Sequence, residues 1–171
     1  MLSAEYRAEF ARLNHIFAIR KQVGTRQTKL MYHFNSDVTL AALNTLYKES
    51  GETGRAGPED IRIGLQQDTL LVCGARLMRY DDSYWLLRNL CTLPAARQTG
   101  LASQLLQVIQ NQLEYQPLIT FPLPHLNAFY RRNGFHEVDI ADLPPHLSQL
   151  LRQCRRRNKG IQAMVSGVSL R

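Results

Sequence analysis

Apolar positions recur along this chain with two different periods. Near the start, Tyr6, Phe10, Leu13 and Phe17 are separated by four, three and four residues. That spacing puts them on one face of a helix, and Ser3 is placed to cap it. Residues 1–27 therefore read as a helical extension. "TKLMYHF" (28–34) reads as a short strand. Ser36 or Asp37 then caps a second helix, with Leu40, Leu43 and Leu46 turned inward and Gly51 as its stop. "GETGRAGPED" (51–60), with three glycines and a proline, is the most flexible stretch by composition. β-rich runs follow at 61–65, 69–80 and 84–92, separated by short polar turns, which predicts an antiparallel meander.

Beyond Thr92 the helical period returns. Leu101, Leu105, Val108, Ile109 and Leu113 mark a helix, 117–121 a strand, 125–133 a short helix stopped by Gly134, and 135–139 a strand. Leu147, Leu150, Leu151 and Cys154 share one face of a helix that opens on proline, and 161–170 closes the chain as a strand. A strand–helix–strand succession with so short a connection calls for a right-handed crossover and a parallel pair. The fold class expected is α/β, a mixed sheet with helices on both faces.

Length, at 171 residues, suits a single domain (1–171) with a core of useful size. The opening "MLSAEYRAEFARLN" is charged and amphipathic, unlike a secretory signal, and no apolar run reaches the length of a membrane span. The expectation is a cytoplasmic protein with no membrane partner. Cys73, Cys91 and Cys154 are widely spaced, with no CxxC pair or His/Cys ligand spacing, so neither a metal site nor a disulfide framework is expected. The net charge of +7 favours anionic partners. "RQCRRRNKG" (152–160) concentrates that charge at a helix end, where cations also suit the dipole.

One junction carries candidate chemistry. In "TLPAARQTGLASQLL" (92–106) a strand ends, a loop follows and a helix begins near Gly100, with no acidic residue at the helix start. Unpaired N–H groups and the helix dipole favour an anion there. Gly100 allows close approach of a ligand, and Arg97 adds a positive side chain.

"RQTGLA" (Arg97, Gln98, Thr99, Gly100, Leu101, Ala102) resembles the acetyl-CoA signature Arg/Gln-x-x-Gly-x-Gly/Ala of the GNAT superfamily of N-acetyltransferases. One strand later, "FYRRNGF" (129–135) is similar to that family's second signature, an aromatic–Tyr pair followed by Gly-Phe. The upstream "VCGARL" strand also fits the family's order. The resemblance spans roughly residues 28–140. It departs from the family at Gln98, where Gly is frequent, at Thr92, where Val or Ile is common, and at Leu123, where many members carry an Asn that contacts the cofactor.

The resemblance implies a GNAT-like acyl-CoA N-acyltransferase fold, mostly antiparallel, whose parallel pair splays apart to admit acetyl-CoA as co-substrate. The pyrophosphate would rest on the amides of Gln98 to Ser103, and the pantetheine arm would pair with the backbone of Leu90, Cys91 and Thr92. The Thr92 N–H would polarise the thioester carbonyl. It further implies direct attack by an amine, on a small molecule or a peptide, with Tyr130 as general acid to the departing CoA thiolate. No metal is implied. The base is not legible: "YWLLRNLCT" has no carboxylate, which leaves His33, Glu49, Asp81, His125 and His136 as titratable candidates. Glu49, Glu52, Glu59 and Asp60 are available to attract a cationic amine, and Arg55 to read a carboxylate. The N-terminal extension is available to cover a sheet face or to form a homodimer contact. Two other classes compete: a catalytically silent acyl-CoA-binding module that regulates a partner, and a nucleic-acid binder using Arg155 to Arg157. The latter ranks last, since aromatic interleaving and reader motifs are absent.

Overall fold

A computed structural model describes residues 16–23, 26–80, 84–112 and 117–167. Contacts divide the chain into two compact units that interleave in sequence. One comprises the residues up to Met78 together with Asn89–Leu106, and the other Arg79–Arg88 together with the residues from Gln107 onward.

The first unit is built on antiparallel strands β1 (Ile16–Val23), β2 (Arg26–Asn35), β3 (Ile61–Gln67) and the greater part of β4 (Leu70–Tyr80), paired in that order. The extension over 1–27 is corrected here. Its residues 16–23 form a strand that pairs with β2 from Ile16↔His33 to Val23↔Arg26, while residues 1–15 lie outside those described. β-branched and aromatic residues favour a strand at this point, and a continuous ladder satisfies both backbones.

Helix α1 (Leu40–Ser50) follows β2. Its cap is Thr39, whose side chain accepts from the Ala42 N–H at 3.2 Å, rather than Ser36 or Asp37. Gly51 stops it at φ +74°, with Glu52 N–H donating to Tyr47 O. Leu43, Leu46 and Tyr47 are buried with Val38, Ala56 and Leu71. Leu40, expected inward, is exposed. The helix lies close on β4 because Gly74 has no side chain: a Cβ there would meet Leu43 and Leu46 methyls at 2.8 and 2.9 Å.

The loop from Gly51 to Asp60 is held rather than free. Asn44 Oδ1 accepts from Ala56 N–H at 2.9 Å, Asp60 accepts from Gly57 N–H at 2.7 Å, and Arg62 donates to the carbonyls of Pro58 and Asp60. Composition made this stretch look flexible because two of the side chains that hold it, Asn44 and Arg62, lie outside it.

In the second unit, β5 (Tyr84–Thr92) pairs in parallel with β6 (Leu118–Thr120), Trp85 opposite Leu118 and Leu87 opposite Thr120. Helix α2 (Leu101–Gln112) supplies the crossover that such a pair requires. β8 (Ala163–Ser166) is antiparallel to both β6 and β7 (His136–Val138). The strand order in this unit is β5-β6-β8-β7. Trp85, Leu86, Leu118, Ile119, Met164 and Val165 are fully buried. Two more helices complete it: α3 (Asn127–Arg132), entered through a 3₁₀ turn at Pro124–Leu126, and α4 (Pro145–Arg157), which buries Leu147 and Leu151. The mixed sheet with one parallel pair is the fold expected. No helix among the described residues is long and apolar enough to cross a membrane.

Candidate functional site

The end of β5, the loop after it and the start of α2 all belong to the first unit. They bring together Leu90, Cys91, Thr92 and the run from Arg97 to Ser103. Past Thr92, Pro94–Ala96 forms one 3₁₀ turn. The backbone then turns left-handed twice, at Gln98 (φ +61°) and Gly100 (φ +85°), on either side of Thr99. Alternating backbone of this kind makes a concave run of N–H groups that suits an anion.

Helix α2 begins directly after it. The first intrahelical bond in this turn runs from Gln104 N–H to Gly100 O at 3.0 Å, so the N–H groups of Leu101, Ala102 and Ser103 precede the ladder. No acidic side chain lies in the first turn. Thr99, one residue ahead of Gly100, donates its hydroxyl to Ala96 O at 2.7 Å. Around Gly100 there is open space, with nothing within 4 Å of a Cβ built on it. The approach to Gly100 is thus unobstructed beside a helix start whose free N–H groups suit an anion.

Arg97 is exposed and tied to backbone. Its Nε donates to Thr92 O at 3.2 Å and its Nη2 to Ser50 O, at the C-terminal end of α1, at 2.9 Å. The side chain thus closes the loop onto the strand end and onto the last turn of α1.

The end of β5 is oriented by one bond. Leu93 N–H donates to Val72 O of β4 at 2.9 Å. Because alternate residues of a strand face opposite edges, the Thr92 N–H points to the edge away from β4. The Thr92 hydroxyl donates to the Cys73 sulfur at 3.3 Å. On the α1 side, Cys91 packs against the cluster around Leu46 and Tyr47. Burial pushes the Cys91 thiol up to about 11, partly offset by the Ser50 hydroxyl, with Glu52 adding a smaller upward push and Arg97 a smaller downward one. A thiol that keeps its proton at neutral pH is a poor nucleophile, which argues against an acyl-enzyme at Cys91.

Tyr130 lies in the second unit, on α3. Its ring is buried, edge-on to Phe129 and Phe135 with ring centres 5.2 Å apart in each case. "FYRRNGF" thus fixes the tyrosine from both sides through its own aromatic neighbours. Of the titratable candidates for a base, His33, Glu49, His125 and His136 are exposed, and Asp81 lies outside the described residues. Asp60, expected among the acids available to attract a cationic amine, is instead buried and paired with Arg76 at 2.9 Å. Among the described residues no group of His, Cys, Asp and Glu is placed to hold a metal ion.

Sequence reading missed two residues at this site. Asn89 sits inside β5 at φ +53°, and the Tyr47 phenol is buried with no hydrogen-bond partner among the described residues. The signal for the first was present, an Asn amid "YWLLRNLCT", since Asn is among the few side chains that tolerate a left-handed backbone.

Residues 64–137 match the family model described as "Acetyltransferase (GNAT) domain". Among solved structures, the fold is similar to N-acetylglutamate synthase from Neisseria gonorrhoeae complexed with coenzyme A and N-acetyl-glutamate, with a TM-score of 0.60 and 16% identity over 82% of this chain. That alignment spans 36% of the synthase, so this chain corresponds to about a third of it. The ribosomal-protein-S18-alanine N-acetyltransferase from Escherichia coli aligns with a TM-score of 0.58 and 17% identity, over 81% of this chain and 96% of its own. An acyl-CoA N-acyltransferase from Pseudomonas aeruginosa aligns with a TM-score of 0.55 and 20% identity, over 81% and 99%. No curated protein sequence matches the chain.

Proposed function

Because residues 64–137 match the model of a GNAT acetyltransferase domain, we propose that the chain transfers an acetyl group from acetyl-CoA to an amine by direct attack. The observation that carries this reading is the cradle of left-handed backbone at Gln98 and Gly100 running into an uncapped helix start. The amides from Gln98 to Ser103 would hold the pyrophosphate, with Arg97 adding charge beside them. Leu90, Cys91 and Thr92 would pair with the pantetheine amides as an added strand. Acetyl-CoA supplies the activated thioester; the chain supplies its orientation. The Thr92 N–H, aimed away from β4, is a donor for the thioester carbonyl, and such donors act most strongly on developing charge. Tyr130 would donate its phenolic proton to the departing thiolate.

The acceptor is a primary amine that reacts in its neutral form. Two of the structural neighbours act on amino-acid-type amines by name, one making N-acetylglutamate and the other acetylating an alanine of a ribosomal protein. Free glutamate and a peptide with N-terminal alanine are therefore the first acceptors to try. Thiol release from acetyl-CoA should rise with one such amine, and Tyr130→Phe should lower kcat by about 100-fold or more while keeping the aromatic packing. Full kcat in that variant would remove Tyr130 from the mechanism. CoA binding without turnover on any amine would favour the silent regulatory module. That alternative draws support from Asp60, whose carboxylate is already committed to Arg76 and Gly57.

A further inference from the structure

The left-handed residue in β5 is held from two directions. Arg76, on β4, donates from Nε to Asn89 Oδ1 at 2.9 Å and from Nη1 to Asp60 Oδ2 at 2.9 Å. Asp60 Oδ2 also accepts from Gly57 N–H, in the loop between α1 and β3. Both charged side chains are largely buried, at 14% and 9% exposure. From the other side the same loop presses on Asn89 at Gly54. A Cβ there would stand 2.2 Å from Asn89 Nδ2 and 2.7 Å from its Cγ, so any larger residue would displace the Asn89 amide.

A non-glycine residue at positive φ within a strand is strained, and it persists only where its surroundings over-determine it. Here a hydrogen bond from Arg76, itself held by the ion pair with Asp60, and a steric stop at Gly54 meet at one side-chain amide. The strain also has a consequence for direction. A left-handed residue breaks the alternation of an extended strand, and so resets which edge the following N–H groups face. The residues that follow are Leu90, Cys91 and Thr92, ending at the bond from Leu93 to Val72. Were Asn89 to relax to an extended backbone, this short segment would have to re-register, and the Thr92 N–H would change edge.

We propose that Asp60, Arg76 and Asn89, with Gly54 as a stop, are positioning residues that aim the Thr92 N–H at the thioester carbonyl. They tie the α1–β3 loop to the strand that presents that donor. The inference rests on the acetyl-CoA reading above and adds to it a set of residues that touch neither the cofactor nor the acceptor.

The test uses the full chain with CoA and with acetyl-CoA labelled with ¹³C at the acetyl carbonyl. Calorimetry gives CoA affinity, and difference infrared spectroscopy gives the carbonyl stretch, which drops when the oxygen accepts a hydrogen bond. Wild-type protein should bind CoA and lower the stretch relative to free acetyl-CoA. In Asn89→Ala and Gly54→Ala the stretch should return toward the free value, with CoA affinity within about 3-fold, because the pyrophosphate cradle is untouched. Asn89→Asp, which keeps both an acceptor for Arg76 and a tolerance for positive φ, should retain the wild-type stretch. On an active amine, the first two variants should lose about 10- to 100-fold in kcat. A wild-type stretch in both Asn89→Ala and Gly54→Ala would overturn the proposal. If Asn89→Ala fails to fold, Gly54→Ala decides alone, since it alters no hydrogen-bonding group. Wild-type protein that does not bind CoA would instead refute the acetyl-CoA reading itself, and this proposal with it.

Discussion

Replacing Gly100 by alanine separates the fold's need for glycine from the ligand's. Gly100 has φ +85°, and a Cβ there would meet nothing within 4 Å. The substitution therefore carries backbone strain and no clash. An L-residue held left-handed costs about 1–2 kcal/mol, which for a chain of this size lowers Tm by roughly 2–8 °C. Gly51, the stop of α1, has φ +74° and the same open surroundings. Gly51→Ala should thus lose about the same stability. The two variants should differ in ligand affinity alone. At Gly100 the new methyl would occupy the space beside the Leu101, Ala102 and Ser103 amides. Each charge-assisted hydrogen bond lost there is worth about 1.5–3 kcal/mol, or roughly 10- to 100-fold in CoA affinity. Thermal unfolding and calorimetry with CoA measure the two quantities independently. Equal CoA affinity in both variants would refute the placement of the pyrophosphate at this helix start.

The buried thiols give a signed dependence on pH. Burial pushes Cys91 up to about 11 and Cys73 up to about 12, so the native state keeps protons that the unfolded chain releases above about pH 8.5. Their contribution to stability should be full below that pH and fall as pH rises through about 9 to 12. Urea unfolding at several alkaline pH values would show it, and Cys91→Ala should flatten the slope; an unchanged slope would count against the thiol as its source. Arg76→Leu leaves the Asp60 carboxylate buried without its cation and should cost about 3–5 kcal/mol in unfolding free energy, part of which Asp60→Asn in the same chain should restore. A double variant no more stable than Arg76→Leu would mean that the pair is not where the loss arises.

Much of the fold was legible because local patterning and tertiary packing agree. The alternation in 61–92 became β3 to β5, and the apolar face beginning at Leu101 became α2. The "RQTGLA" run was legible because its glycine and its lack of an acidic cap are both local properties. Where packing overrode pattern, reading failed. Phe17 continues a helical spacing from Leu13, yet pairing with β2 claims it for a strand. Thr39 displaced Ser36 and Asp37 as cap because Asn35 Oδ1 accepts from the Asp37 N–H at 2.8 Å and extends the turn. Asp60 looked like solvated charge because its partner Arg76 stands sixteen residues away. Asn89 was missed for a related reason: a strand is recognised by the residues that obey alternation, and the one that breaks it is invisible until its neighbours are known.

The division of the chain has a consequence for how it is made. It passes between the two units at three points, after Met78, Arg88 and Leu106, within β4, β5 and α2. Neither unit is a continuous stretch of sequence. At a synthesis rate of about 5–20 residues per second, the first unit stays incomplete until Asn89–Leu106 has been made, after the second has already received its first ten residues. The segment that completes the first unit is also the one that carries the proposed phosphate cradle. A nascent chain truncated before Asn89 would accordingly lack both the closing piece of the first unit and the proposed ligand site, so the two arrive together during synthesis.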